Sequence, residues 1–325
     1  MKKNFIGVIV SLVFIGILAY SMRAEVPRVL SVLRNGNHAL LLAATLIFLT
    51  AGVIMGLRLK LIFSGKDILI PLRETVSLTF VGFFFNNFLP TSAGGDIVKA
   101  ICAARITKEP VKCVSAVMMD RIFGLFMFIL IPCASLFFLR DKINPKVPVI
   151  VYSFLGMSII FFVLIFNSSI AKRFHLVEKF LNVFKVGGFI RRIYDELHDF
   201  KNHKGLVALA MILSLAGQSV SIFVLYLMAL ALGADPSSWL YFFLLVPIVH
   251  LIGMVPLTLN GLGPREAAYI YFLKNYIGVE RATAVGILWF GLLMVCSIIG
   301  GLIYLARHDY HIRFNKPNRE EVTAL

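Results

Sequence analysis

The feature that most limits how this chain can fold is a long apolar segment that recurs along its whole length. Eight such segments can be identified. A simple hydropathy count, which ignores interruptions, would report them as seven or eight helices. They lie at about 4–22, 38–57, 74–89, 113–139, 147–167, 205–232, 239–259 and 284–306. A helix needs roughly 20 apolar residues to cross a bilayer. Because lipid offers no partners for backbone N–H and C=O groups, such segments fold as helices there. The pattern predicts an all-α polytopic membrane protein with a single integral membrane domain over 1–325.

The composition leaves little sequence for a soluble domain. Hydrophobic residues make up 59% of the 325 residues and charged residues only 15%, whereas soluble domains have about 45–50% and about 25%. The net charge of +15 lies mostly in short gaps between the apolar segments. Cytoplasmic anchoring and anionic lipid headgroups place basic residues in such gaps. We therefore expect a membrane partner and no nucleic-acid partner.

The sequence also lacks the motifs of common cofactor and metal sites. Its four cysteines lie in or beside apolar segments, without metal-binding spacing. It has no glycine-rich phosphate loop, no HExxH motif and no nucleophile elbow. We expect no cofactor, no metal and no catalytic residue of these kinds. Any transport is then expected to be downhill, ion-coupled or driven by a partner.

Two of the apolar segments are interrupted in the same way. The third runs into 86–96 and the seventh into 255–266, and each passes from an apolar helix through proline, a hydroxyl residue and two glycines to an acidic residue. Proline and glycine interrupt the helical hydrogen-bond ladder. Lipid cannot satisfy the freed groups, so such breaks occur only inside protein or beside a water-filled cavity. The candidate substrate-pathway residues at the breaks are Asn86, Asn87, Pro90, Gly94, Gly95, Asp96, Asn260, Gly261, Gly263, Arg265 and Glu266.

The distribution of basic residues predicts a topology. If the third and seventh segments are re-entrant, the stretches on the N-terminal side of the membrane carry 22 Lys and Arg and those on the other side carry 9. The positive-inside rule then predicts six full spans with both termini cytoplasmic. The first break enters from the cytoplasm and the second from outside, which is typical of an inverted-repeat transporter. The repeats would cover about 1–167 and 205–306, followed by a cytoplasmic tail at 307–325.

The connection at 168–204 is the longest polar stretch, and it contains two amphipathic patterns. Apolar residues recur at helical spacing, first at 174–184 and then at 190–200, with basic residues around them and two glycines between them. The pattern favours short helices on the cytoplasmic membrane surface. The alternative is a small helical hairpin that packs on the loops of the protein.

Charged residues inside the apolar segments are the other candidates for function. Asp96 follows two glycines, where it can cap the next helix or line a pathway, and the two roles are compatible. Lys99, on the same helix, either holds a lipid phosphate or serves as an anchor. Asp120 and Arg121 are neighbours whose side chains point about 100° apart on a helix, so each needs its own partner. We expect Arg121 to face a central cavity and Asp120 to pair with another basic group; the alternative is a structural clamp between helices.

Other polar residues have ordinary explanations. Arg105 is interpreted like Lys99, as a phosphate ligand or an anchor. Arg58 is interpreted as an anchor at the membrane interface. Gln218 and His250 are single polar residues on apolar helices, where hydrogen bonds between helices are the usual role. We further expect Asp96, Arg121 and Glu266 to line one shared cavity, because two broken helices are best tolerated when they face each other or water.

Two ordered motifs resemble a known family. The first is Asn-x-x-Leu-Pro, Gly-Gly-Asp, then Asp120-Arg121 and Gly124; the second is Asn260-Gly261-Leu262-Gly263 followed by Arg265-Glu266-Ala267-Ala268. The chain thereby resembles the lysylphosphatidylglycerol synthase transmembrane region family, a flippase-like membrane domain. It departs from the family pattern at Leu259-Asn260, where a proline–glycine pair is common, and at Pro264. The soluble aminoacyltransferase domain of the fused members is not found in this sequence, so the resemblance does not extend to lysyl transfer.

The resemblance implies a function in lipid handling. We expect a lipid translocase or lipid-binding transporter of a bacterial or archaeal inner membrane, handling an anionic, aminoacylated or lipid-linked headgroup. One alternative is a membrane-embedded transferase acting on lipid-linked donors, for which Asp96, Asp120 and Glu266 are the plausible embedded carboxylates. Another is a non-catalytic membrane partner of a lipid synthase encoded separately.

Overall fold

The protein is described by a computed structural model over residues 26–89, 94–139, 146–166, 195–235, 239–254, 261–307 and 310. Within these ranges all regular structure is helical, which confirms the all-α prediction. The predicted segment at 4–22 and most of the amphipathic connection lie outside the described residues. The helices are α1 (Val26–Arg34), α2 (His38–Ser64), α3 (Leu72–Phe88), α4 (Gly94–Thr107), α5 (Pro110–Leu139), α6 (Lys146–Phe166), α7 (Lys204–Ala231), α8 (Leu240–Gly253), α9 (Pro264–Ile277) and α10 (Val279–Ala306).

Four of the described helices, α2, α5, α7 and α10, are long and apolar enough to cross a membrane. The helices beside the two breaks are shorter: α3 has 17 residues, and α4, α8 and α9 have 14 each. At 1.5 Å per residue, a 14-residue helix is about 21 Å long and falls short of a hydrocarbon core about 30 Å thick. Each of α4, α8 and α9 is therefore too short to span such a core alone.

The helices pack in a reciprocal pattern. The order long, short, break, short, long occurs twice, first as α2 to α5 and then as α7 to α10. The two leading long helices, α2 and α7, pack against each other. The short helix α3 packs against α10, and its counterpart α8 packs against α5. Each leading short helix therefore contacts the last long helix of the other set.

Small residues allow these close contacts. A Cβ atom on Gly300 of α10 would clash with the carbonyl oxygen of Phe80 on α3. A Cβ atom on Gly56 of α2 would lie 2.8 Å from the Cα atom of Val76 on α3. Interfaces between membrane helices use glycine in this way, because close backbone approach increases van der Waals contact where no hydrophobic effect operates.

The described end of the amphipathic connection packs against the protein. Residues 195–199 are helical and a 3₁₀ turn follows at Phe200–Asn202. Leu197 and Phe200 are buried, and the Nζ atom of buried Lys66 lies 4.7 Å from the centre of the Phe200 ring. Where it is described, this apolar face therefore packs against the protein, as in the alternative; the position on the membrane surface stays a prediction.

Ion pairs hold the same segment. Lys66 Nζ lies 2.9 Å from Glu196 Oε2 and 3.2 Å from Asp199 Oδ2. Partial burial alone would raise the pKa of Asp199. Hydrogen bonds from Asn202 and Lys66 outweigh it and leave that pKa below its usual value. Since the charged form of Asp199 is the one stabilised, the segment is attached through its carboxylate.

Candidate functional site

A cavity of about 250 Å³ lies among the helices that flank the two breaks. Its lining includes side chains from both sets of helices. Four cations and two carboxylates are among them, together with aromatic rings and amides. The charged lining residues are Arg58, Asp96, Lys99, Asp120, Arg121 and Arg265.

The first break is closed by backbone and amide contacts. A Cβ atom on Gly95 would clash with the carbonyl oxygen of Gly82, so only glycine allows α4 to approach α3 this closely. The Gly95 N–H donates to Asn86 Oδ1 at 2.8 Å. The Nδ2 group of Asn87 donates to the Leu293 carbonyl at 3.2 Å, so this amide connects α3 with α10. The two asparagines therefore fix the break to its neighbours.

Asp96 lies inside the first turn of α4, and its carboxylate binds side chains. Lys99 Nζ lies 3.1 Å from Asp96 Oδ1, and Arg121 Nη1 donates to Asp96 Oδ2. The N-cap alternative is therefore not the contact that this carboxylate makes.

Asp120 extends the cluster to α2 and α7. Arg58 Nε donates to Asp120 Oδ1 at 2.6 Å, and Arg58 Nη1 donates to Ser214 Oγ at 2.9 Å. Lys99 Nζ lies 3.7 Å from Asp120 Oδ2 and so connects both carboxylates. Charges therefore alternate from Arg121 to Arg58, and their side chains come from α2, α4 and α5.

The second break has its own ion pair. Gly261 and Gly263 have positive φ angles of 72° and 92°, which glycine adopts without strain. The Gly263 N–H donates to Glu266 Oε2 at 2.7 Å. Arg265 Nη2 lies 2.9 Å from Glu266 Oε1. Glu266 thus stabilises the start of α9 and the position of its neighbour Arg265.

Two of the three side chains expected to share a cavity line it, and a neighbouring residue takes the place of the third. Asp96 and Arg121 line it, whereas at the second break the lining charge is Arg265 and not Glu266. Gly94, Gly95, Gly261 and Gly263 lie at the breaks but are not among the lining residues. Pro90 and Asn260 lie outside the described residues.

An aromatic wall completes the cavity. His250 stacks on Trp289 with ring centres 5.1 Å apart, and it forms a T-shaped pair with Phe128, whose ring centre is 5.4 Å from its own. His250 Nε2 and the Tyr269 hydroxyl share a hydrogen bond of 2.8 Å between α8 and α9. Sequence reasoning gave His250 this interhelical role, but it did not identify the aromatic residues around it. Only the packing of the helices decides which aromatic residues line the cavity, because phenylalanine is common throughout the chain.

The expected position of Arg58 is wrong. This residue was expected to anchor the helix at the membrane interface, but its side chain is 7% exposed and paired with Asp120. The sequence contains a signal for this, because α2 continues to Ser64 through the apolar residues Leu59, Ile62 and Phe63. The guanidinium is therefore six residues inside the helix rather than at its end. Arg105 has the opposite outcome: it is exposed near the end of α4 and does not line the cavity.

The charges of the cavity favour an anion. Among the described residues, the four cations are opposed by Asp96, Asp120 and the nearby Glu266, which leaves one net positive charge when all are ionised. Guanidinium and ammonium groups bind phosphate and carboxylate oxygens by charge-assisted hydrogen bonds. Among the described residues, no group of three or more His, Cys, Asp or Glu side chains is arranged to hold a metal ion. The arrangement is therefore suited to holding an anionic group inside an apolar protein.

Comparison with known proteins gives the family. A search of curated proteins and a search of solved structures each found no match. The family model described as lysylphosphatidylglycerol synthase TM region matches residues 4–301, which include both breaks and every charged residue of the cavity. The chain therefore belongs to the lysylphosphatidylglycerol synthase TM region family.

Proposed function

We propose that the protein is a flippase-like lipid translocase of the cell membrane. In this proposal the headgroup of an anionic or lipid-linked lipid passes through the cavity between the two breaks, and its acyl chains remain in the bilayer. The observation that carries the proposal is a cluster of buried charges, positive in sum, beside two interrupted membrane helices. Membership of a family named for a lipid synthase supports lipid as the substrate class.

The free-energy cost of burying charged side chains in the membrane is the physical argument for transport. Charged side chains inside a membrane are expensive, and they generally line a substrate or ion pathway. A clamp between helices would be satisfied by equal numbers of opposite charges. Among the described residues of this cluster, cations outnumber carboxylates by one, and the Arg121 side chain, which lines the cavity, is 29% exposed. A phosphodiester carries one negative charge and would neutralise the cluster.

The reciprocal packing supports an inverted repeat as the transport architecture. We propose six full spans and two re-entrant segments that enter from opposite sides, with both termini cytoplasmic. In a variant that lacks the four native cysteines, single cysteines at 185 and 318 should react with a membrane-impermeant maleimide only after the cells are opened. A cysteine at 237 should react in intact cells. External labelling at 185 or 318 would overturn this topology.

The transport test uses purified protein in liposomes. A fluorescent phosphatidylglycerol is incorporated, and dithionite then reduces the fluorophores in the outer leaflet. The wild-type protein should make the inner-leaflet pool accessible, and Arg121→Gln should slow this by about tenfold, because a charge-assisted hydrogen bond contributes roughly 1.5–3 kcal/mol. Arg105→Gln is the matched control, since Arg105 is exposed and does not line the cavity.

The outcomes separate the function classes. Equal transport rates for Arg121→Gln and Arg105→Gln would show that the cavity is not part of the transport path. If the wild-type protein moves no lipid but forms a new product from lipid-linked donors, it is a transferase. If movement occurs only with an added lipid synthase, the protein is a membrane partner of that enzyme.

A further inference from the structure

A carboxylate of the protein already pairs with the cavity cation that a ligand would reach first. The Arg121 side chain is 29% exposed, whereas those of the other three lining cations are at most 9% exposed. Arg121 donates to Asp96 Oδ2, and Lys99 contacts the other oxygen of the same carboxylate. An incoming phosphate therefore meets a guanidinium that already donates to Asp96.

The other carboxylate of the cluster is in a different position. The side chain of Asp120 is 7% exposed, and its main partner Arg58 is equally buried and also bonded to Ser214. The Asp96 side chain is 19% exposed, so its ion pair with Arg121 is the most accessible of the cluster. A ligand of the cavity can exchange with Asp96 without separating the buried pair of Asp120 and Arg58.

We propose that Asp96 is a specificity-determining residue that competes with the lipid phosphate for Arg121 and Lys99. The inference rests on the proposed function and adds a partner exchange to it. When the phosphate binds, it replaces the Asp96 carboxylate on Arg121. This carboxylate weakens binding of every anion, so only a ligand that offers at least an equivalent pair of oxygens displaces it. It also returns to Arg121 when the ligand leaves, which prevents an anion from being trapped in a strongly positive site.

Charge counting gives the expected size of the effect. Without the charge of Asp96, the cluster of Arg58, Lys99 and Arg121 retains only Asp120, and its net charge increases from one to two. Hydrogen bonds to charged groups change equilibria by about tenfold or more. Asp96→Asn should therefore lower the Kd for phosphatidylglycerol by about tenfold, whereas the wild-type Asp96 keeps binding weaker and reversible.

The test measures binding in detergent, separately from transport. The chain has two tryptophans, and Trp239→Phe leaves Trp289 of the cavity wall as the only reporter. Its emission is titrated with short-chain phosphatidylglycerol and, for comparison, with zwitterionic phosphatidylcholine. Asp96→Asn should tighten binding of phosphatidylglycerol but not of phosphatidylcholine. The double variant with Arg121→Gln should lose the gain.

A charge control and a second measurement complete the test. Glu109→Gln removes the same charge from an exposed position and should leave the Kd unchanged. If Asp96→Asn does not purify as a folded protein, infrared difference spectra of the wild type with labelled aspartate should show a carboxylate shift on lipid binding. An unchanged or higher Kd in Asp96→Asn, or no carboxylate shift, would overturn the inference. If the wild type binds no phosphatidylglycerol at all, the proposed function fails instead.

Discussion

The buried pair of Arg58 and Asp120 offers a quantitative test of the structure. The pair joins α2 to α5 with a hydrogen bond of 2.6 Å, and both side chains are 7% exposed. Asp120→Ala would leave the Arg58 guanidinium with the hydroxyl of Ser214 as its remaining side-chain hydrogen-bond partner among the described residues. Lys99 would keep its ion pair with Asp96. The substitution therefore isolates one buried cation.

The expected cost follows from burial. Removing one partner of a buried ion pair destabilises a protein by about 3–5 kcal/mol, chiefly because the other charge stays buried. Replacing both partners with uncharged side chains removes that penalty. The free energy of unfolding of Arg58→Met/Asp120→Ala should thus exceed that of Asp120→Ala alone. We expect a coupling energy of about 2 kcal/mol from the double-mutant cycle.

The assay is unfolding by sodium dodecyl sulfate in mixed micelles, followed by circular dichroism. An ion pair near the same helices provides the control: Lys112 and Glu109 lie 3.8 Å apart and are 35% and 52% exposed. Exposed pairs contribute at most about 1 kcal/mol, so this control should show little coupling. If the two cycles give equal coupling energies, Arg58 and Asp120 do not form a buried pair and the position of α2 against α5 is wrong.

Two further predictions concern packing. Gly95→Ala should lower the free energy of unfolding by about 2 kcal/mol or more, because its Cβ atom would clash with the Gly82 carbonyl oxygen. Gly291→Ala, which has nothing within 4 Å, should be neutral or stabilising by up to about 1 kcal/mol in the same titration; equal losses would refute the close approach. Glu74→Gln should cost about 1–3 kcal/mol, because Glu74 accepts hydrogen bonds from Arg307 and Tyr310 at the end of α10; an unchanged unfolding midpoint would contradict this contact.

Local patterns were sufficient for part of the site. Proline and paired glycines at 90–95 predict a helix break wherever the segment lies, because they act on their own backbone. The structure accordingly begins α4 at Gly94 and places Asp96 in its first turn. Similarly, the acidic residue after Gly263 lies in the first turn of α9. These features depend on neighbours within a few residues, which a sequence displays directly.

Other parts of the site depend on how helices are rotated and how closely they pack. The partners Arg58 and Asp120 are 62 residues apart, and Arg58 and Ser214 are 156 apart. No periodicity links such positions. Arg58 consequently looked like an anchor. Arg265 and Glu266 were both candidates for the pathway, and Glu266 was the one named for the shared cavity, whereas Arg265 is the one that lines it. Neighbouring residues on a helix point about 100° apart, so only the packing of α9 determined which of the two lines it.

The sequence by itself determined the membrane class, the helical fold and the positions of the breaks. Apolar length and backbone chemistry act locally, and the bilayer admits few alternatives. The tertiary structure alone decided which charges meet. Glycine contacts such as Gly95 with Gly82 set how closely the helices pack, and that spacing brings side chains from α2, α4 and α5 into one cluster with an excess of positive charge. The physical reason is that hydropathy fixes where a segment lies, whereas the pairing of buried charges is a property of helices in contact.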